Sequence, residues 1–315
     1  MLRVSFYFLL VLVLSHSIIA QDYSREPLKL IGGEGNFFIQ PRWSPDGAQI
    51  AFTSSNYQGL WIMQSDGSAV QQLADEPAAG FGFEWSADSK AIITRVARFE
   101  KGRRLNALKL FNCETNQSRL ITEYRLRMPG LPHWADNDRR IFIFTNGKLE
   151  VYPSGKNPET LLKPAVEQNI YFLKGEQPAQ GNLSTQKYRL YEALKDWQCL
   201  NLTVSPDRTK IAFEVLGGDL YVMNVDGSGL INLGEGHRPQ WAPDSQHLVY
   251  MITRDDGHQY LAADICSIKI DGSEKRVFQL TPDRLEMNPC WSPDGRKIVF
   301  DIFDEGAIYL LELFD

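Results

Sequence analysis

Histidine is scarce, and the usual metal-ligand spacings are missing. The chain has five histidines and four cysteines in 315 residues, with no His-x-x-x-His or Cys-x-x-Cys pattern to suggest a zinc site. A Gly-x-Ser-x-Gly nucleophile elbow is also lacking, so hydrolase chemistry of that type has no anchor. Neither sign of charge dominates. Thirty-three Lys and Arg against 39 Asp and Glu leave a net charge of −6 with no basic tail, which argues against general nucleic-acid binding, because phosphate contacts need clustered cations. The apolar run from Val4 to Leu14 is short for a membrane span, which takes about 20 residues.

That run follows Arg3 and leads to Ala20 before Gln21-Asp22, the layout of a secretory signal peptide cleaved after Ala20. Residues 1–20 are therefore expected to be removed, and the mature chain to be periplasmic or secreted and not membrane-spanning. At 43% apolar and 23% charged, the remainder has an ordinary globular composition.

A repeat is what the sequence has in abundance. Trp43-Ser-Pro-Asp-Gly47 recurs as Trp85-Ser-Ala-Asp-Ser89, Trp134-Ala-Asp-Asn-Asp138, Val204-Ser-Pro-Asp-Arg208, Trp241-Ala-Pro-Asp-Ser245 and Trp291-Ser-Pro-Asp-Gly295, at steps of 42, 49, 70, 37 and 50 residues. Pro presets φ, Asp bonds its own backbone and Gly tolerates positive φ, so each unit is a chain reversal. An apolar β-favouring run follows every unit, such as Gln49–Phe52 or Ile298–Phe300. A third strand comes next, such as Leu60–Met63, often ending in an Asp-Gly turn such as Asp66-Gly67 or Asp226-Gly227. Four antiparallel strands repeated about every 40 residues define a β-propeller blade. The prediction is an all-β, six-bladed propeller of four-stranded antiparallel blades over residues 21–315, with an inter-blade insertion at 164–198. Because the last repeat stops after its third strand, a segment near residues 27–32 is expected to complete the final blade and cover its edge.

The Trp, Ser, Pro, Asp and Gly unit with its following strands resembles the WD40-like propeller repeat of the TolB family. The resemblance covers the propeller portion only. It implies a periplasmic or secreted binding protein that docks to protein partners of the cell envelope.

Register places Cys113 and Cys266 across the ring from each other, and Cys199 and Cys290 in separate blades, so four buried thiols are expected. The repeated Trp residues are read as inter-blade packing and the repeated Asp residues as turn formers. Tight turns should occupy one face, and every long insertion the other. On that second face residues 95–106 carry Arg95, Arg98, Lys101, Arg103 and Arg104 against Glu100. Residues 254–264 carry Arg254, Asp255, Asp256, His258 and Asp264 with Tyr260, and residues 188–197 read as a short amphipathic helix with Leu190, Leu194 and Trp197 on one side.

Phe37, Phe38, Phe81, Phe83, Arg125, His237, Arg238, Glu286 and Asn288, just before the Trp units, should ring the channel mouth. With Arg98, Arg103 and Arg104 they form the candidate binding surface. The expected activity is non-enzymatic recognition of a protein or peptide by a monomer, with carbohydrate as second ligand class and no cofactor, catalytic residue or metal site assigned. The alternative is a metal-dependent lyase or lactonase in which His133 and His237, with Glu84 or Glu286, hold a metal at the mouth.

Overall fold

The Trp units fold as their chemistry dictates. In the first, the Ser44 hydroxyl donates to Asp46 Oδ1 at 2.6 Å and accepts the Gln49 N–H at 2.9 Å, while Asp46 Oδ1 also accepts the Ala48 N–H at 3.0 Å. The same bonds recur around Ser86 and Asp88, Ser205 and Asp207, and Ser292 and Asp294. The repeated aspartates are therefore turn formers, as expected.

A computed structural model describes residues 26–33, 35–155, 169–278, 280 and 284–313; the signal-peptide reading of residues 1–20 lies outside them. The strands form seven antiparallel sheets. Blade one holds β2 (Phe38–Trp43), β3 (Gln49–Ser54), β4 (Leu60–Gln64) and β5 (Gln71–Ala74), and blade two β6 (Glu84–Trp85), β7 (Ala91–Glu100), β8 (Arg103–Asn112) and β9 (Ser118–Leu120). Blade three has β10 (His133–Ala135), β11 (Arg140–Thr145) and β12 (Lys148–Pro153), and blade four β13 (Asn169–Lys174), β14 (Gln177–Asn182) and β15 (Tyr188–Leu190). Blade five follows with β16 (Cys199–Val204), β17 (Lys210–Val215), β18 (Asp219–Asn224) and β19 (Ile231–Glu235), and blade six with β20 (His237–Trp241), β21 (His247–Asp255), β22 (Tyr260–Lys269) and β23 (Arg276–Phe278). Blade seven joins β24 (Glu286–Trp291), β25 (Lys297–Ile302) and β26 (Ala307–Glu312) to β1 (Leu28–Gly32).

The N-terminal strand thus closes the ring, pairing Leu28 with Leu310 and Gly32 with Ala307. The count of six blades is corrected to seven. The stretch read as an insertion at 164–198 contains β13–β15, a blade whose described residues have no Trp turn unit. Its β14–β15 turn is held by Asn182, whose Oδ1 accepts the N–H groups of Ser184 and Thr185, as Asn112 holds the β8–β9 turn of blade two through Glu114 and Thr115. The expected helix at 188–197 is β15, which pairs Leu190 with Ala179, followed by a single 3-10 turn at Glu192–Leu194. Tertiary pairing overrides helical periodicity there.

Burial lies between blades, since each sheet is apolar on both faces. Trp85, Ile92 and Phe111 pack against Ala51, Leu60 and Ile62 between blades one and two, and Trp43, Ile50 and Phe52 meet Val299, Ile308 and Leu310 where blade seven meets blade one. The tryptophans also stitch adjacent blades by hydrogen bonds: Trp85 Nε1 donates to the Arg42 carbonyl, Trp134 Nε1 to that of Glu84 and Trp241 Nε1 to that of Thr203. The four cysteines are free thiols; Cys113, Cys199 and Cys266 are buried, whereas Cys290 is only half-buried.

Up-and-down strands place the turns between first and second and between third and fourth strands on one face. There they bond to one another, Asp46 N–H to Ser89 Oγ at 3.0 Å and Asp207 N–H to Ser245 Oγ at 3.1 Å. The second-to-third loops and the inter-blade connections share the opposite face. Residues 95–106 and 254–264, expected as loops, are instead strand extensions: β7 and β8 pair without a break to Glu100 and Arg103, and β21 and β22 pair as far as Asp255 and Tyr260 with one slip in register after Arg254.

Candidate functional site at the channel and the loop-rich face

Four innermost strands carry the same irregularity. Pairing slips in β2, β16, β20 and β24, and Gln40, Asn201, Arg238 and Asn288 adopt φ of 56°, 49°, 53° and 54°. Three of these residues precede proline, at Pro41, Pro239 and Pro289, where the right-handed helical conformation is disfavoured. A bulge re-aims the backbone, and here the freed groups are taken by carboxylates on second strands.

Glu214 on β17 accepts the Asn201 amide at 2.8 Å and the Arg238 N–H of the next blade at 2.7 Å. Asp301 on β25 repeats the pattern, accepting the Asn288 amide at 2.9 Å and the Gln40 N–H at 2.8 Å. The Arg238 guanidinium donates to Asn288 Oδ1, and that of Arg42 reaches the Asn288 carbonyl at 3.4 Å. One polar network therefore runs through blades five, six, seven and one.

Its electrostatics differ from end to end. Desolvation would raise Glu214, but the His237 imidazole and the Arg238 N–H hold it below its ordinary value. The Glu214 carboxylate in turn raises His237, whose Nδ1 lies 3.7 Å from Oε2. Asp301 is fully buried; loss of solvent pushes it up to about 7, against the opposing pull of the Gln40 N–H, Asn288, Arg238 and Arg42. Its Oδ2 has no hydrogen-bond partner among the described residues.

The sequence-predicted site residues divide. Glu286 and Asn288 are buried within β24 and do not rim an open mouth, because β24 lies against blade six. Phe38 packs edge-on against Phe52 at 5.0 Å, and Phe83 packs against the core between blades one and two. Arg125 forms a two-pronged ion pair with Glu150, at 3.0 and 2.5 Å, which raises its pKa. His237 and Arg238 belong to the channel network. Phe37 and Phe81 remain exposed, at 48% and 40%, and Arg98, Arg103 and Arg104 stand exposed on the β7–β8 hairpin.

His133 and His237 are not brought to one metal. His133 Nδ1 pairs with Glu84 at 3.1 Å and stacks on Phe142, while His237 pairs with Glu214. No group of three His, Cys, Asp or Glu converges to hold a metal ion among the described residues.

Gln40, Asn201, Glu214 and Asp301 were missed by sequence reasoning. A signal was present: Pro41, Pro132, Pro239 and Pro289 each stand two residues before a repeat Trp. That proline marks the bulge in three of the four.

Exposed apolar side chains gather on the loop-rich face. Phe37, Phe81 and Leu126 lie in inter-blade connections, Leu216 and Phe303 in second-to-third loops, and Phe99 at the tip of the β7–β8 hairpin. A cleft of about 370 Å³ on this face is lined by Phe37, Ser54, Asn56, Gln58, Trp61 and Gln72, and a smaller one of about 230 Å³ by Trp197, Leu216 and Tyr221.

Against this geometry, no protein-family model matches the chain. A Tol-Pal system protein TolB from Anaeromyxobacter dehalogenans (strain 2CP-C) is 37% identical over 68 residues, 21% of this chain and 15% of that relative. The match therefore spans a small part of either protein. Among solved structures, a chain of the mitotic checkpoint complex superposes with a TM-score of 0.62 at 13% identity, covering 99% of both chains. An oligogalacturonate lyase in complex with manganese gives 0.56 at 14% identity, over 89% of this chain and 90% of that one. The oligogalacturonate lyase of Vibrio parahaemolyticus gives 0.58 at 14% identity, over 95% and 96%. At these identities the structural likenesses support the fold and nothing finer.

Proposed function

We propose that the protein is an exported, non-enzymatic recognition module that engages a protein or peptide of the cell envelope through its loop-rich face. The observation that carries this reading is the asymmetry of the ring. One face is made of short turns bonded to each other, while the other carries the two long hairpins, the clefts and exposed Phe37, Phe81, Leu126, Leu216 and Phe303. Aromatic and Arg side chains on a rigid scaffold are the residues that anchor protein interfaces. The TolB match supports an envelope setting and a protein partner.

The second reading is a metal-dependent lyase acting at the channel, favoured by the fold shared with the oligogalacturonate lyases. Against it, the candidate histidines are held by separate carboxylates.

The mature protein, immobilised and exposed to cell-envelope extract, is expected to retain a defined protein. A variant carrying Phe37→Ser and Phe81→Ser should lose it, and Asp226→Ala on the opposite face should keep it. Capture insensitive to Phe37 and Phe81, or release of unsaturated uronate from oligogalacturonate when manganese is added, would overturn the reading.

A further inference from the structure

The exposed residues of the loop-rich face form a connected strip over blades seven, one and two. Phe303 and Gly306 lie in the loop between β25 and β26, and a Cβ at Gly306 would meet the Phe37 ring at 2.5 Å. Phe37 and the half-buried Trp61 line the larger cleft, whose polar rim includes Asn56, Gln58 and Gln72. Tyr57, between two of those rim residues, meets Phe81 edge-on at 5.1 Å, and the Arg95 guanidinium stands 5.8 Å from the Phe81 ring. Arg95 is fixed there by the carbonyls of Met128 and Gly130, at 2.7 and 2.8 Å.

The β7–β8 hairpin rises beyond this point. Inter-blade connections brace it as far as Ala97, whose N–H bonds the Pro77 carbonyl, and Asn106, which pairs with Arg125. Above that brace project Arg98, Lys101, Arg103 and Arg104 with Glu100 as the one acid, on a chain whose net charge is −6. Arg98 is already engaged by Glu100 at 2.9 Å and by the Tyr124 ring at 3.9 Å. Lys101, Arg103 and Arg104 have no ion-pair partner among the described residues. A concentration of uncompensated cations on an acidic protein attracts the opposite charge and steers its approach.

Resting on the reading of the loop-rich face as a protein-binding surface, we infer that the partner is an extended polypeptide segment with two parts. An acidic stretch lies along the β7–β8 hairpin, and a neighbouring aromatic or aliphatic side chain sits in the Phe37–Trp61 cleft. Polar side chains at the rim supply donors and acceptors for the segment's backbone, and the apolar floor supplies the desolvated anchor. A purely anionic polymer would use the cations but leave the Phe37–Phe81 strip uncovered.

The test is selection of a random peptide library displayed on phage against the mature protein. Selected sequences should be enriched in Asp and Glu next to Phe, Trp, Tyr or Leu. Labelled synthetic copies should lose about tenfold in affinity on Arg103→Glu with Arg104→Glu, and about tenfold again on Phe37→Ser, with binding weakened by salt. Selection without acidic enrichment, peptides indifferent to the Arg103 and Arg104 changes, or displacement by polygalacturonate with no effect of Phe37→Ser would overturn the inference. If envelope capture depends on Phe37 and Phe81 but not on the arginines, this inference fails while the protein-binding function stands.

Discussion

At the scale of single residues, the fold is carried by a few side chains that recur in register and differ in how well they are satisfied. Trp85 Nε1 donates to the Arg42 carbonyl, whereas Trp291 Nε1 is buried without a partner among the described residues. Trp85→Phe should therefore destabilise by about 1 kcal/mol more than Trp291→Phe in urea unfolding. Truncating either to Ala should cost about 3–5 kcal/mol.

Asp301 gives a pH signature. Its folded value, pushed up to about 7 by burial, exceeds the unfolded carboxylate value of about 3.9. Between those values the folded chain holds a proton that the unfolded chain has lost. Its contribution is thus complete below about pH 4 and lost as pH rises through about 7. The groups facing it, Arg42, Arg238, Asn288 and the Gln40 N–H, oppose that rise without cancelling it.

Asp207 and Asp294 behave in the opposite sense. The hydroxyls of Ser205 and Ser292 hold them below their ordinary values, so their contribution is present above about pH 4 and lost as pH falls through the folded value. Asp301→Asn keeps an acceptor for both of its donors. Urea unfolding should find this variant near the wild type at about pH 4 and more stable than it at about pH 8; an unchanged difference across that range would contradict the assignment. The turn aspartates were legible in the sequence because their partners are local. Asp301 was not, because the groups that enclose it come from blades one and six as well as its own.

At the scale of elements, β1 decides whether the ring is closed. Leu30 and Ile31 enter the core where blade seven meets blade one, and Gly32 sits at φ 104° with the Gly306 carbonyl 2.3 Å from where a Cβ would be. Gly32→Ala should destabilise by at least about 1–3 kcal/mol through backbone strain, read as a lower urea midpoint. Closure was legible because residues 28–35 repeat the pattern of residues 230–236. Blade four was not. In β14, Pro178, Gln180 and Asn182 interrupt the apolar pattern, and the strand packs through small residues, with Gly181 leaving room for the Phe172 ring, where a Cβ would come within 2.9 Å. The long hairpins were placed on the correct face by strand order, but their strand character was hidden by arginines and aspartates that read as loop.

At the scale of the whole molecule, seven sheets share their cores with neighbours on both sides, so the turn face is committed to holding the ring together. The loop-rich face carries the clefts and the exposed Phe37, Phe81, Leu126, Leu216 and Phe303. Its surface could be located in the sequence, but the partition between packed Phe38 and Phe83 and exposed Phe37 and Phe81 could not, since it depends on which aromatic residues neighbouring blades cover. The measurement that tests the account most directly is site-specific photo-crosslinking in cell-envelope extract. A photoreactive phenylalanine analogue replaces Phe37 or Phe81 on one face, or exposed Val70 or Leu230 beside the turns on the other. The account predicts a discrete protein adduct from positions 37 and 81 and none from 70 and 230. Adducts from the turn face, or from neither face, would contradict it.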